Sequence, residues 1–214
     1  MDTKIPKSRI LKDLIEYSKI PPELVYERCK YAVYELAVQW RKKKSMLNFY
    51  RYSDLYLYDL TFYQMQLERH NLIKQMVQQI KNLKLTKILE YGGGIGEFSL
   101  LCHENGLRVN YYDLDGTIKK YAMWRFRKHK ANKISIANKH QLDEKWDAVN
   151  IMDVLEHLQN PQAIIKKLSK NSKYIFCNPH QIEFNILYPQ HISKFSLDKY
   201  FINIQSYLWK NKNF

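Results

Sequence analysis

The sequence predicts an α/β protein: a helical region over residues 1–85, then a mostly parallel sheet with helices on both faces over 86–214. Three observations carry this. Residues 1–85 contain no glycine, and their apolar residues recur at three- and four-residue steps. From residue 86, short apolar runs alternate with helical stretches, the pattern of successive βαβ units. Four of the six glycines, Gly92, Gly93, Gly94 and Gly96, follow directly on the first of those runs. Glycine clusters where backbone must turn with positive φ or lie against a ligand.

The elements follow in order. Pro21-Pro22 suits the first turn of a helix over about 23–44, with Leu24, Val25, Cys29, Ala32, Val33, Leu36, Ala37 and Trp40 as its apolar positions. A second helical stretch spans about 55–83. Around its start Tyr50, Tyr52, Tyr56, Tyr58 and Tyr63 form a group that could grip a substrate ring; packing of the helix on the domain is the favoured role for most of them. Leu14–Lys30 has a faint helix-turn-helix character, with no glycine to mark the turn. Strands are expected at 87–91, 107–112, 133–137, 147–152 and 173–178, with helices at 96–105, 117–130 and 159–170 between them. A further helix at about 196–202 and a strand at about 203–209 complete the chain.

Length and charge narrow the classes. At 214 residues the chain accommodates one α/β domain with an appendage. No apolar run approaches the roughly 18 residues of a membrane span, and no membrane association is expected. Met1–Leu14 is charged throughout, unlike a secretion signal. Cys29, Cys102 and Cys177 are too dispersed for a disulfide framework or zinc site, so a cytoplasmic location is expected. The net charge of +14 is divided between the two regions. It is densest at Lys119, Lys120, Arg125, Arg127, Lys128, Lys130 and Lys133, where no acid lies between Asp115 and Asp143. That stretch reads as a phosphate-facing patch or as a solvated helix face; arginine is its minority cation, which favours the solvated face.

The glycine spacing decides between cofactors. A dinucleotide fingerprint needs G-x-G-x-x-G, but Glu97 stands where its third glycine belongs, and no Gly-Lys-Ser/Thr of a phosphate loop is present. The chain has Glu90-x-Gly92-x-Gly94-x-Gly96 instead. This resembles motif I of the class I S-adenosylmethionine-dependent methyltransferases, including the ubiquinone-pathway type. Asp113, about twenty residues on, resembles the acid that holds the ribose hydroxyls, and Leu114 the apolar residue that packs on adenine. Asp153-Val154-Leu155-Glu156-His157 resembles the segment that closes the fourth strand beside donor and acceptor. Tyr174–Asn178 reads as the fifth strand, running into Pro179-His180, and His191 to Ser196 resembles the H-x-x-x-F-[ST] element before the next helix. The resemblance covers about 86–202. It implies a Rossmann-like three-layer sandwich, S-adenosylmethionine as cofactor and S-adenosylhomocysteine as product, with Glu90, Gly92, Gly94, Gly96, Asp113, Leu114 and Asp153 binding the cofactor. The chain stops near its sixth strand, so the seventh strand of the family is expected to be missing.

His157 is the candidate general base, because an imidazole titrates near neutrality and this one lies at the ligand edge of the sheet. Glu156 and His191 are candidate catalytic residues beside it. Asp153, Glu156, His157 and His191 also resemble the divalent-metal site of small-RNA 3′-terminal 2′-O-methyltransferases, which commonly have Glu where Asp153 stands. Whether this set holds a metal, or instead contacts cofactor, caps a helix and orders a loop, stays open. The expected reaction is methyl transfer to O, N or C of a small-molecule acceptor. The alternatives are RNA 2′-O-methylation with a divalent metal, supported by the +14 charge, and a cofactor-binding module without turnover. The absence of a D/N-P-P-Y element after the fourth strand disfavours adenine-N6 methylation. Oligomeric state is not legible.

Overall fold

The computed structural model describes residues 5–178, 186–205 and 207–214; Pro179-His180 lies outside them. Eight α-helices and seven strands are formed among the described residues. The N-terminal helices are α1 (Arg9–Ser18), α2 (Pro22–Arg41), α3 (Met46–Tyr52), α4 (Asp54–Gln64) and α5 (Leu67–Asn82). Then come β1 (Ile88–Tyr91), α6 (Glu97–Glu104), β2 (Val109–Tyr112), α7 (Thr117–Lys128), β3 (Ile134–Ile136), β4 (Trp146–Asn150), α8 (Pro161–Asn171) and β5 (Ser172–Phe176). β6 (Phe201–Gln205) and β7 (Leu208–Asn211) end the chain.

The sheet order is β3-β2-β1-β4-β5-β7-β6. The first five strands pair in parallel, and β7 runs antiparallel to both β5 and β6. Alternation along each strand separates the two faces. Ile88, Val109, Ala148 and Phe176 pack with Ile73, Met76, Val77 and Ile80 of α5 and with Phe98, Leu101 and Cys102 of α6. Leu89, Val149 and Ile175 face the other way, onto Ile165 and Leu168 of α8. The three-layer α/β sandwich is as the sequence implies.

The expected loss of the seventh strand is wrong, and so is the helix expected at 196–202. Only a single turn forms there, with Phe201 N–H donating to Leu197 O at 3.0 Å, before β6 begins. Residues 201–205 and 208–211 then pair as antiparallel strands. β6 is an edge strand in which Phe201 alone is buried, and its alternating Ile202 and Ile204 face solvent. The helix expected at about 23–44 forms as α2, whereas the one expected at about 55–83 is divided into α4 and α5. Ser45 caps α3 by accepting from Asn48 N–H at 3.3 Å. Gln66 takes an extended backbone and separates α4 from α5.

α1, α2 and α4 bury Leu11, Leu14, Val25, Cys29, Ala32 and Leu57 together with Ile118 and Tyr121 of α7 and with Ile95 of the glycine turn. Among these apolar contacts lies a buried charge network. Arg125 of α7 is 0 % exposed. It donates to Asp13 of α1 at 2.9 Å, to the Ile95 carbonyl at 2.8 Å and to Glu97 of α6 at 2.7 Å. Arg9 of α1 reaches the other Glu97 oxygen at 2.6 Å. Lys128 and His129 complete the shell around Asp13. The basic stretch of α7 is thus partly consumed internally: Arg125 is core, Lys128 pairs with Asp13 and Glu16, and Lys119 with Asp115.

Removing one partner of a buried ion network strands the other charges. Arg125→Met is therefore expected to cost about 3–5 kcal/mol, read as a fall in the urea midpoint. Adding Asp13→Asn and Glu97→Gln to that variant should recover part of the loss.

Candidate active site

A cavity of about 960 Å³ opens above the C-terminal ends of β1, β2 and β4, beneath α3 and α4. This is the edge at which open α/β sheets bind ligands. Its floor is the turn after β1. Gly96 caps α6 at φ +75°, and Gly94 has φ +54°. A Cβ at Gly96 would lie 2.5 Å from the Phe126 ring, so that site is closed by protein. A Cβ at Gly94 would meet only Leu60, at 3.4 Å, and otherwise enter open space. The turn is held from both sides: Gly94 N–H donates to Asp113 Oδ2 at 2.6 Å, and Tyr111 Oη donates to Gly94 O at 2.6 Å.

Every candidate cofactor residue except Gly96 lines this cavity: Glu90, Gly92, Gly94, Asp113, Leu114 and Asp153. Asp113, at the end of β2, also accepts from Leu114 N–H at 2.6 Å. Burial raises its carboxyl to about 6, opposed by those two N–H groups. Glu90 is 3 % exposed and hydrogen-bonds Ser99. Burial lifts it to about 8, so it is mostly protonated at neutrality. Asp153 sits at φ +56° and is engaged by the N-terminal helices. Arg69 pairs with it at 2.8 Å, and Tyr63 Oη donates to it at 3.3 Å.

At the far end Glu156, His157 and His191 each offer a ligand atom, all within 4.8 Å of one another. Asp153, the fourth member expected from sequence, is not in this set. Glu156 is buried; desolvation and then the Asp153 charge raise it to about 7. His157 departs from the ordinary imidazole expected of it. Burial and then His191 lower it to about 4, so it is neutral at pH 7. Its Nδ1 lies 3.2 Å from the Gln190 carbonyl oxygen, which can only accept, and 3.1 Å from Tyr50 Oη. The carbonyl assigns the proton to Nδ1 and leaves Nε2 with its lone pair.

Tyr50, Tyr56 and Tyr63 of the tyrosine group do line the cavity, whereas Tyr58 is core and Tyr52 is 66 % exposed. Sequence reasoning missed Asp59, Arg69, Tyr188 and Gln190 in the lining. Asp59 follows Tyr56 by three residues and precedes Tyr63 by four. That spacing puts the three on one helical face, a signal already present in the helix expected at about 55–83.

A family model described as a methyltransferase domain matches residues 62–201. The chain belongs to the methyltransferase-domain family. The resemblance to class I S-adenosylmethionine-dependent methyltransferases drawn from the sequence holds. No curated protein matches the chain. Among solved structures it is similar to the methyltransferase domain of bacterial CtHen1, at 20 % identity and TM-score 0.43, covering 50 % of this chain and 63 % of that one. It is also similar to magnesium protoporphyrin IX methyltransferase (ChlM) from Synechocystis PCC 6803 with bound SAH, at 18 % and 0.48, covering 58 % and 62 %. A third similarity is to the N-terminal domain of EvdMO1 with SAH bound, at 17 % and 0.47, covering 71 % and 69 %. The methyltransferase domain therefore spans less than two thirds of the first two. Among its described residues no helix is long and apolar enough to cross a membrane.

Glu90 allows a test of this electrostatic setting. A carboxyl whose folded pKa is raised supports stability below its unfolded pKa and loses that support as pH rises through the folded one. Between pH 6 and 9 the parent protein is expected to lose roughly 1–3 kcal/mol relative to Glu90→Gln, measured by urea unfolding at both pH values.

Proposed function

We propose that the protein transfers a methyl group from S-adenosylmethionine to a small-molecule acceptor. The observation that carries this is the open face of Gly94: within a turn otherwise filled by protein, one backbone position faces an open cavity that runs on to Glu156, His157 and His191. The residues fit the donor. Asp113 would offer carboxylate lone pairs to two ribose hydroxyls, Leu114 would pack on the adenine, and Gly92–Gly94 would receive the aminoacyl end. The reaction is an in-line displacement at a sulfonium methyl, and holding the reactants aligned can supply roughly 7–11 kcal/mol.

For an acceptor that must lose a proton, Glu156 is the better base. Its pKa of about 7 matches the working pH, whereas the His157 value of about 4 makes that imidazole a weak proton acceptor. His157, aligned by Gln190 and Tyr50, then orients the acceptor through Nε2. The acceptor is held beneath α3 and α4, which restricts it to a molecule that fits the remaining cavity and supports methylation on O, N or C of a small compound.

A second reading has one observation in its favour. Glu156 and two neutral histidines within 4.8 Å suit a divalent cation, which when bound would orient acceptor hydroxyls and lower their pKa, as in RNA 2′-O-methylation. Turnover that survives a chelator, and RNA affinity indifferent to salt, would remove it.

Calorimetry with S-adenosylhomocysteine tests the main reading. Gly94→Val is expected to abolish binding, and Asp113→Ala to weaken it by about 1.5–3 kcal/mol; no heat with the parent protein would overturn the assignment. Methyl-labelled donor incubated with a metabolite extract should then yield a labelled small molecule; binding without any labelled product would mark a cofactor-binding module instead. On that acceptor kcat/KM should fall below about pH 7. Glu156→Gln should remove that limb and cut kcat by about 10²–10⁴-fold. An acid limb near pH 4 in the parent protein would return the base role to His157.

A further inference from the structure

The acceptor end of the cavity holds polar atoms that the protein itself leaves unsatisfied. Asp59 lines it from α4. Among the described residues its carboxylate has no hydrogen-bond or ion-pair partner, and burial alone accounts for its rise to about 6. Gln190 lines the same cavity, is 2 % exposed, and its Oε1 also lacks a partner. Of the three cations that line the cavity, Lys44 is exposed to solvent and the other two are committed elsewhere. Lys43 lies 3.5 Å from the Trp40 ring centroid and donates to the Trp40 carbonyl, and Arg69 pairs with Asp153.

The walls around these oxygens are aromatic. Tyr188 stacks on His191 with ring centroids 5.3 Å apart and planes 6° from parallel. Tyr50 and Tyr56 form a T-shaped pair at 5.7 Å. Burial and then the Asp59 charge push the Tyr188 hydroxyl up, which puts the carboxylate in the surroundings of that stack. Burial, then Tyr50 and Asp59, do the same at Tyr56.

We infer that this end of the cavity anchors the acceptor by a protonated amino group, received by the Asp59 carboxylate and Gln190 Oε1 between tyrosine rings. An ammonium brings three donors and a positive charge to oxygens that can only accept. The ring faces add cation–π attraction. A hydroxyl in the same place would complete the hydrogen bonds and leave the enclosed carboxylate charge without a counter-charge. The ammonium is an anchor, and the methylated atom lies at the Glu156–His157 end; the inference rests on the methyltransferase reading above.

Protein loaded with S-adenosylhomocysteine is titrated with 2-phenylethylamine and with its uncharged isostere 2-phenylethanol, followed by ligand-detected NMR. The amine should bind about tenfold more tightly, and Asp59→Asn should abolish that preference without weakening S-adenosylhomocysteine. Equal binding of the two probes by the parent protein overturns the inference whatever the variant does. So does a preference that survives Asp59→Asn. A variant that loses S-adenosylhomocysteine affinity also overturns it, because the carboxylate would then serve the donor's own ammonium. Failure of the parent protein to bind S-adenosylhomocysteine appears before either probe is added and overturns the methyltransferase reading instead.

Discussion

Arg125 has no solvent to neutralise it, so its charge must be met by protein, and the three groups that meet it come from two distant parts of the chain. Asp13 belongs to the first helix, Ile95 O to the glycine turn and Glu97 to the helix that follows it. A guanidinium presents its donors in a fixed planar fork, so these three elements can satisfy it only in one mutual arrangement. Ile95 repeats the constraint with its side chain, buried among α1, α2, α4 and α7. The shape of the turn that floors the cavity is therefore set by the N-terminal helices as much as by the sheet. Those helices also supply Tyr50, Tyr56, Asp59, Tyr63 and Arg69 to the cavity wall. One buried cation couples the glycine turn that floors the cavity to the helices that cover it.

The interior of the cavity is electrostatically opposite to the protein as a whole. The chain carries +14, yet Asp59, Glu90, Asp113 and Glu156 converge on one enclosed space, each with its carboxyl raised by burial. Water-poor surroundings disfavour the ionised forms, so Glu90 at about 8 and Glu156 at about 7 hold protons near neutrality that the unfolded chain would release, while Asp59 and Asp113 at about 6 stay mostly ionised. The arrangement opposes folding as pH rises and favours a cationic occupant. A sulfonium donor that also carries an ammonium has the charge such a space lacks.

Much of the fold was legible because βαβ units advertise themselves locally. Ile88-Leu89, Val109 and Tyr111, and Ala148-Val149 are short apolar runs between helical stretches, and their period and spacing are properties of the sequence alone. Gly92 to Gly96 marked the turn, and Asp113 and Leu114 were found at the cavity from their distance past it. The pairing of 201–205 with 208–211 was read as one strand at about 203–209, because the alternating Ile202 and Ile204 lie on an exposed edge and do not report where one strand ends and the next begins. The burial of Arg125 was not legible, since a cation in a basic helix reads as solvated until its partners, more than a hundred residues away at Asp13, are brought to it.

Residue order by itself determined the sandwich, the position of the ligand edge and the glycine turn that faces it, because each depends on neighbours within one strand–turn–helix unit. Which carboxylates lie together, which are paired and how far each is displaced from its ordinary pKa were decided only by the tertiary structure. Asp59, Glu156 and His191 are distant in the chain, and their chemistry depends on desolvation and mutual distance, quantities that come into being when α4, the end of β4 and the segment before β6 close around a common space.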